Sequence, residues 1–277
     1  MVAAQEAWHG MARVKDSQVA APAGAENSVE FPAGWRRWPL VKRLIPSVRK
    51  AWAALLWRDG QGVVRRDGAL FKVNVRHWLG KSMVMHGAPE RAQLSFLLAN
   101  IASRGCTLFI DIGANFGIYS IFVAQRTNCR RIIAFEPDRR SYDQLFENLR
   151  LNGLAGRVET HPVAVSNRTG EVPFELGPET HNVLSKVGGA GTGAHSVEAM
   201  RLDDVIAVQG ERIALKIDIE GHELAALEGM RALLKNNRCF TQVECFPHNA
   251  PGFIAAMEKC GYKFLRRIER DHYFANF

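Results

Sequence analysis

Four carboxylates stand where apolar runs end: Asp111 after Leu108 to Ile110, Glu136 after Ile132 to Phe135, Asp218 after Ile213 to Ile217, and Glu244 beside Val243. Ionised carboxylates accept hydrogen bonds from sugar hydroxyls, attract ammonium groups and take up protons. The first lies in Asp111-Ile-Gly113-Ala114-Asn115-Phe-Gly117, a strand that turns through glycines into an amphipathic segment, Ile118 to Gln125. Strand, glycine turn and helix open a nucleotide-binding α/β unit, in which the helix N-terminus offers unpaired N–H groups to a polar ligand. A dinucleotide turn reads G-x-G-x-x-G, and its middle glycine admits a pyrophosphate. Asn115 occupies that place here, which argues against NAD and FAD and favours a nucleoside without a pyrophosphate, such as S-adenosylmethionine. Asp111 would suit the ammonium group of that ligand.

The second acid follows the glycine turn at the interval expected of a ribose-binding residue: Glu136, then Pro137 to stop the strand and Asp138 to cap the next helix. The third is part of a cluster, Lys216-Ile-Asp218-Ile-Glu220-Gly-His222-Glu223, which opens another helix. In open parallel sheets ligands bind beyond the C-terminal ends of the strands, so these acids converge on one edge. Asp218 or His222 is the candidate base for an acceptor hydroxyl, with Glu220 beside them. Imidazole suits that task near neutral pH. Three other readings stay open. Lys216 could pair with Asp218 or Glu244. His222 could cap the following helix. Asp218, Glu244 and His222 could hold a divalent metal, although no metal is assigned.

The elements that must position these residues follow from periodicity. From residue 107 the chain alternates strands and helices, which implies an α/β fold with a mostly parallel sheet and helices on both faces. Tyr142, Leu145, Phe146 and Leu149 mark one helix face, and residues 262–265 and 272–277 suggest a closing hairpin. Before residue 107, apolar alternation around Asp67-Gly68 indicates a hairpin. Ser82 to Met85 suggests a further strand, and Pro89 to Ser103 a helix ended by Gly105. This preface is expected to cover one side of the ligand site. The glycine-rich stretch 177–196 reads as a lid or an insertion.

At 277 residues the chain holds one ordinary domain with an extension. We expect residues 1–34 to form a disordered tail, 35–104 a basic helix, hairpin and helix preface, and 105–277 the main domain. Five cysteines without C-x-x-C spacing argue against a disulfide framework or a zinc site and suggest a reducing cytoplasm. No apolar run is long enough to cross a bilayer. The net charge of +8 is concentrated between Trp35 and Arg58, where seven basic residues stand without an acid among four tryptophans. That segment could pack on the domain or touch an anionic membrane. No nucleic-acid motif is present, and the oligomeric state is left open.

The series Phe109 to Gly117, Phe135-Glu-Pro137, Ala164-Val-Ser166, Arg201-Leu-Asp203, Leu215 to Glu223 and Val243-Glu244 resembles the FkbM family of methyltransferases over residues 107–250. The resemblance implies a class I, Rossmann-like methyltransferase fold, S-adenosylmethionine as cofactor, and O-methylation of a hydroxyl on a sugar, glycan or natural product. It implies that Asp111, Gly113, Ala114, Asn115 and Gly117 hold the methionine part of the cofactor, Glu136 and Pro137 the ribose, and Ala164 to Ser166 the adenine. The rival functions are a non-catalytic binding or membrane-associated scaffold protein and an NAD-dependent reductase.

Overall fold

The structure, a computed structural model, describes residues 47, 57–178, 185–188 and 195–277. The expected tail and almost all of the basic segment 35–58 lie outside the described residues, as do parts of the glycine-rich stretch.

The chain opens on a hairpin, β1 (Gln61–Arg66) and β2 (Ala69–Asn74), with Asp67-Gly68 at its turn, both at positive φ. Helices α1 (Trp78–Met85) and α2 (Arg91–Arg104) follow. Ser82 to Met85, expected as a strand, belongs to α1. Met83 and Val84 are buried there, while the buried Arg66 guanidinium donates to the carbonyls of both. A short apolar run cannot by itself separate strand from buried helix. Gly105, at φ +62°, ends α2.

The central sheet then forms in the order β12–β13–β11–β10–β3–β4–β5. Its parallel part is β3 (Leu108–Ile112), β4 (Arg131–Phe135), β5 (Glu159–His161), β10 (Arg212–Ile217) and β11 (Arg238–Glu244). The hairpin β12 (Lys263–Ile268) and β13 (Asp271–Ala275) closes it, with β13 antiparallel to β11. The parallel strands are buried on both faces and so read as apolar runs. Their side chains alternate between two cores. Phe109, Ile132, Ala134, Ala214 and Phe240 pack on the hairpin, α1, α2, α3 (Ile118–Arg126) and α4 (Arg139–Leu151). Leu108, Ile110, Ile133, Ile213 and Leu215 pack on α5 (Leu202–Val205), α6 (Glu223–Glu228), α7 (Arg231–Asn236) and α8 (Ala250–Lys259).

A second sheet, β6–β9–β7–β8, comprises β6 (Ala164–Val165), β7 (Gly170–Glu175), β8 (Lys186–Val187) and β9 (His195–Met200). Residues 186–187 therefore form a strand within the stretch expected to be a loop. Strand order reverses between β3 and β10, and the crevice at that switch point is where an open α/β sheet takes its ligand.

Candidate active site

Beyond the ends of β3 and β10 lies a cavity of about 610 Å³, a size suited to a nucleoside together with a small acceptor. Its floor is the joint between the two strands. The Asp218 amide donates to the Ile112 carbonyl at 3.0 Å. Gly113 sits at φ +80° against the Asp218 carbonyl, whose oxygen would lie 1.9 Å from any Cβ at that position. Only glycine fits there, on both backbone and steric grounds.

One end of the cavity is built from the glycine turn and the tip of β4. Gly113, Ala114, Asn115, Glu136, Pro137, Ala164 and Val165 all line it. Glu136 is buried, and both its oxygens accept backbone N–H groups, Oε2 from Asn115 at 2.8 Å and Oε1 from Asp138 at 2.9 Å. Burial still pushes its carboxyl up to about 8, against those two donors. Asp138 caps α4 through the Arg140 amide and binds the Arg140 guanidinium and the Ser185 hydroxyl. That last contact holds the start of β8 beside the cavity.

Asp111 and Gly117 lie behind this lining. Asp111 is 1% exposed, and its Oδ2 accepts the amide and hydroxyl of Ser120, at 3.1 and 2.7 Å. Its Oδ1 has no hydrogen-bond partner among the described residues. Burial raises its carboxyl to about 6, with the Lys216 ammonium acting in the opposite direction. Gly117 is the N-cap of α3, at φ +92°, and a Cβ there would come within 2.5 Å of Leu145.

The rest of the lining is drawn from scattered segments: Trp78, Glu90, Gln93 and Tyr119, then Lys216, Asp218, Glu220 and Glu244, and Glu269 to Asp271, with Gln93 donating to Glu269 at 3.1 Å. Lys216, 2% exposed, is its hub. The ammonium lies 2.6 Å from Asp218 Oδ2 and 4.9 Å from the centre of the Tyr119 ring. Burial alone would lower it, but Asp218, Glu90, Asp271 and Asp111 together hold it well above the usual lysine range. Tyr119 donates to Glu90 Oε2 at 2.8 Å, and Gln242 donates to both the Tyr119 oxygen and Asp271 Oδ1. Burial and the Asp218 charge raise Glu220 to about 7 and Glu244 to about 8.

Of the sequence candidates for catalysis, Asp218 and Glu220 line the cavity. His222 and Ser166 are not among its lining residues. They pair with each other, His222 Nε2 to Ser166 Oγ at 2.9 Å, and burial lowers the imidazole from its ordinary value. His222 occupies the N-cap position of α6 without a side-chain capping bond. Lys216 pairs with Asp218, and Glu244 instead faces Arg270 at 3.7 Å. No group of three or more His, Cys, Asp or Glu side chains among the described residues is arranged to hold a metal. Sequence reasoning missed Trp78, Glu90, Gln93, Tyr119, Glu269 and Asp271. No local sequence signal marks them: the positive φ of Glu90 and Glu269 belongs to the structure alone.

The residues fit a nucleoside cofactor with a polar tail. The turn leaves no room for a side chain at Gly113, and a buried carboxylate stands at the tip of β4. A profile of the methyltransferase FkbM domain matches residues 111–264. Methyltransferase sdnD from Sordaria araneosa is 31% identical over 165 residues, 48% of this chain and 63% of that protein. Hexuronic acid methyltransferase AglP from Haloferax volcanii is 30% identical over 129 residues, 46% of this chain and 51% of that protein. The matched parts thus span about half to under two thirds of these curated relatives. The crystal structure of precorrin-6y C5,15-methyltransferase from Geobacter metallireducens superposes at a TM-score of 0.42 and 15% identity, over 68% of this chain and 87% of that one, a likeness too distant to bear on function. With a match over more than half its length, the chain belongs to the FkbM methyltransferase family, whose cofactor is S-adenosylmethionine.

Proposed function

We propose that the protein transfers a methyl group from S-adenosylmethionine to a hydroxyl of a sugar, glycan or natural product. The observation that carries this reading is the division of one cavity into a backbone-built end at the glycine turn and an acid-lined end at β10 and β11. The family supports the first half of the reading, and the name of AglP offers a precedent for a sugar derivative as acceptor, whatever its charge.

The cofactor, when bound, supplies an electrophilic methyl group on a sulfonium. The remaining tasks fall to this chain's residues. Ala114, Asn115 and the turn backbone are assigned to the amino-acid part of the cofactor, Glu136 to the ribose, and Phe135, Ala164 and Val165 to the base. Asp111, turned to Ser120, is assigned the placement of α3 and of the Lys216 charge rather than direct contact. Lys216 holds Asp218 in one position, so that Asp218 can orient an acceptor hydroxyl by accepting its hydrogen bond. Glu220, with its carboxyl near neutral, is the proposed proton acceptor.

Titration calorimetry with S-adenosylmethionine, S-adenosylhomocysteine and NAD tests the cofactor half. The first two are expected to bind, and NAD is not. Binding of NAD alone, or of nothing, overturns the reading. The acceptor half is tested with Glu220→Gln, which is expected to bind S-adenosylhomocysteine normally while turnover falls by about a hundredfold or more. Full turnover in that variant removes Glu220 from the mechanism.

A further inference from the structure

The acceptor end of the cavity carries a charge imbalance. Among the described residues, three cationic side chains line the cavity, and each lies close to an acid: Lys216 to Asp218 at 2.6 Å, Lys186 to Glu175 at 3.4 Å, and Arg270 to Glu244 at 3.7 Å. Glu90, Glu220, Glu269 and Asp271 also line it and have no ion-pair partner among the described residues. Three of them do take part in local bonds. Glu90 accepts from Tyr119, Glu269 from Gln93 and Asp271 from Gln242. Neutral donors of this kind orient a carboxylate without cancelling its charge. The four come from three separate places in the chain: Glu90 from the start of α2, Glu220 from the loop after β10, and Glu269 and Asp271 from the hairpin of β12 and β13. Their meeting is therefore a property of the cavity and not of one helix end. A cleft with low-dielectric walls and one sign of charge focuses its field on whatever enters.

A second feature of the same cavity also points to a ligand. Trp78 lines it while remaining 53% exposed, the most exposed of the large apolar side chains among the described residues. An indole exposed in a cavity that carboxylates also line can receive a cation through its ring quadrupole.

Resting on the methyltransferase reading, we propose that the acceptor carries a protonated amine near the hydroxyl to be methylated, as in an amino sugar or amino alcohol, and that Glu90, Glu269 and Trp78 select it over neutral and acidic acceptors. The amine meets the open carboxylates and the indole, while an acceptor carboxylate meets an excess of like charge, which costs affinity.

The test uses the full chain loaded with S-adenosylhomocysteine and three probes of one ring shape, glucosamine, glucose and glucuronate, with binding read by saturation-transfer NMR and titration. Glucosamine is expected to bind best, with glucuronate weaker by at least about tenfold. In the double variant Glu90→Gln, Glu269→Gln that preference is expected to collapse to within about twofold. Trp78→Ala is expected to weaken glucosamine alone. Glucuronate binding as well as glucosamine, no binding by any of the three, or an unchanged preference in the double variant overturns the proposal. Retained S-adenosylhomocysteine binding shows that each variant is folded. It also separates this failure from failure of the methyltransferase reading, in which that compound would not bind at all.

Discussion

The two ends of the cavity are made by different means. The cofactor end is drawn from the tips of neighbouring strands, at residues 113–115, 135–137 and 164–165, and is shaped mainly by backbone. Gly113 and Gly117 take positive φ where a side chain would collide, and Glu136 is held by two amides. The acceptor end is assembled from segments far apart in sequence and is shaped by side chains. There the positive φ values fall on Glu90, Glu220 and Glu269, residues that bear strain in that conformation. A site made of backbone leaves glycine spacing as its trace, whereas a site made of side chains from separate loops leaves acids that look like ordinary surface residues.

That contrast can be broken most directly at Gly113. Gly113→Ala is expected to abolish S-adenosylhomocysteine binding in calorimetry, because the methyl group would collide with the Asp218 carbonyl. Normal binding would mean that the cofactor end is not fixed by backbone. Next in size is Lys216→Met, which removes the buried partner of Asp218 and is expected to cost about 3 kcal/mol in urea unfolding. A loss below about 1 kcal/mol would mean that Lys216 is not the electrostatic hub.

Glu136→Gln sharpens the comparison from the cofactor side. Replacing one carboxyl oxygen with an amide is expected to weaken S-adenosylhomocysteine by about tenfold, with folding intact. The same residue makes a prediction about pH. Glu136, Glu244 and Glu220 have carboxyls raised to about 8, 8 and 7 in the folded protein, so the native state holds protons that the unfolded chain has already lost. Stability of the ligand-free protein is therefore expected to fall as pH rises from about 5 to about 8, and the slope should shrink in Glu136→Gln. A melting temperature that rises across this range would contradict the burial of these acids. The smallest effect is expected at His222. Its ring faces Ser166, so His222→Ala should change turnover by less than about threefold and cost about 1 kcal/mol for the lost hydrogen bond.

The same contrast explains what could be read in advance. The parallel strands, the Asp67-Gly68 hairpin turn, the Asp138 cap and the glycine turn all have local causes, and each was legible. Ser82 to Met85 reads as a strand from its sequence because its helical end is held from a distance, by the Arg66 guanidinium on the Met83 and Val84 carbonyls, seventeen and eighteen residues away. The second sheet was missed in part because β8 is only two residues long and owes its existence to pairing with Phe174 and Glu175. Glu90 and Glu269 were invisible because nothing near them in sequence shows that α2 and the β12–β13 turn face the same cavity.

The joint between β3 and β10 has a consequence for insertions and deletions. Lys216 pairs in register with Asp111, and Ile217 with Ile112, so ladder position sets the offset between donor and acceptor ends. One residue added within Arg212–Ile217 would advance Asp218 by about 3.3 Å and turn every later side chain to the opposite face. Lys216 would then leave the cavity for the helix-packed core. Length variation among functional descendants of this chain should accordingly be confined to connections such as the stretch between β7 and β9, with none in β10.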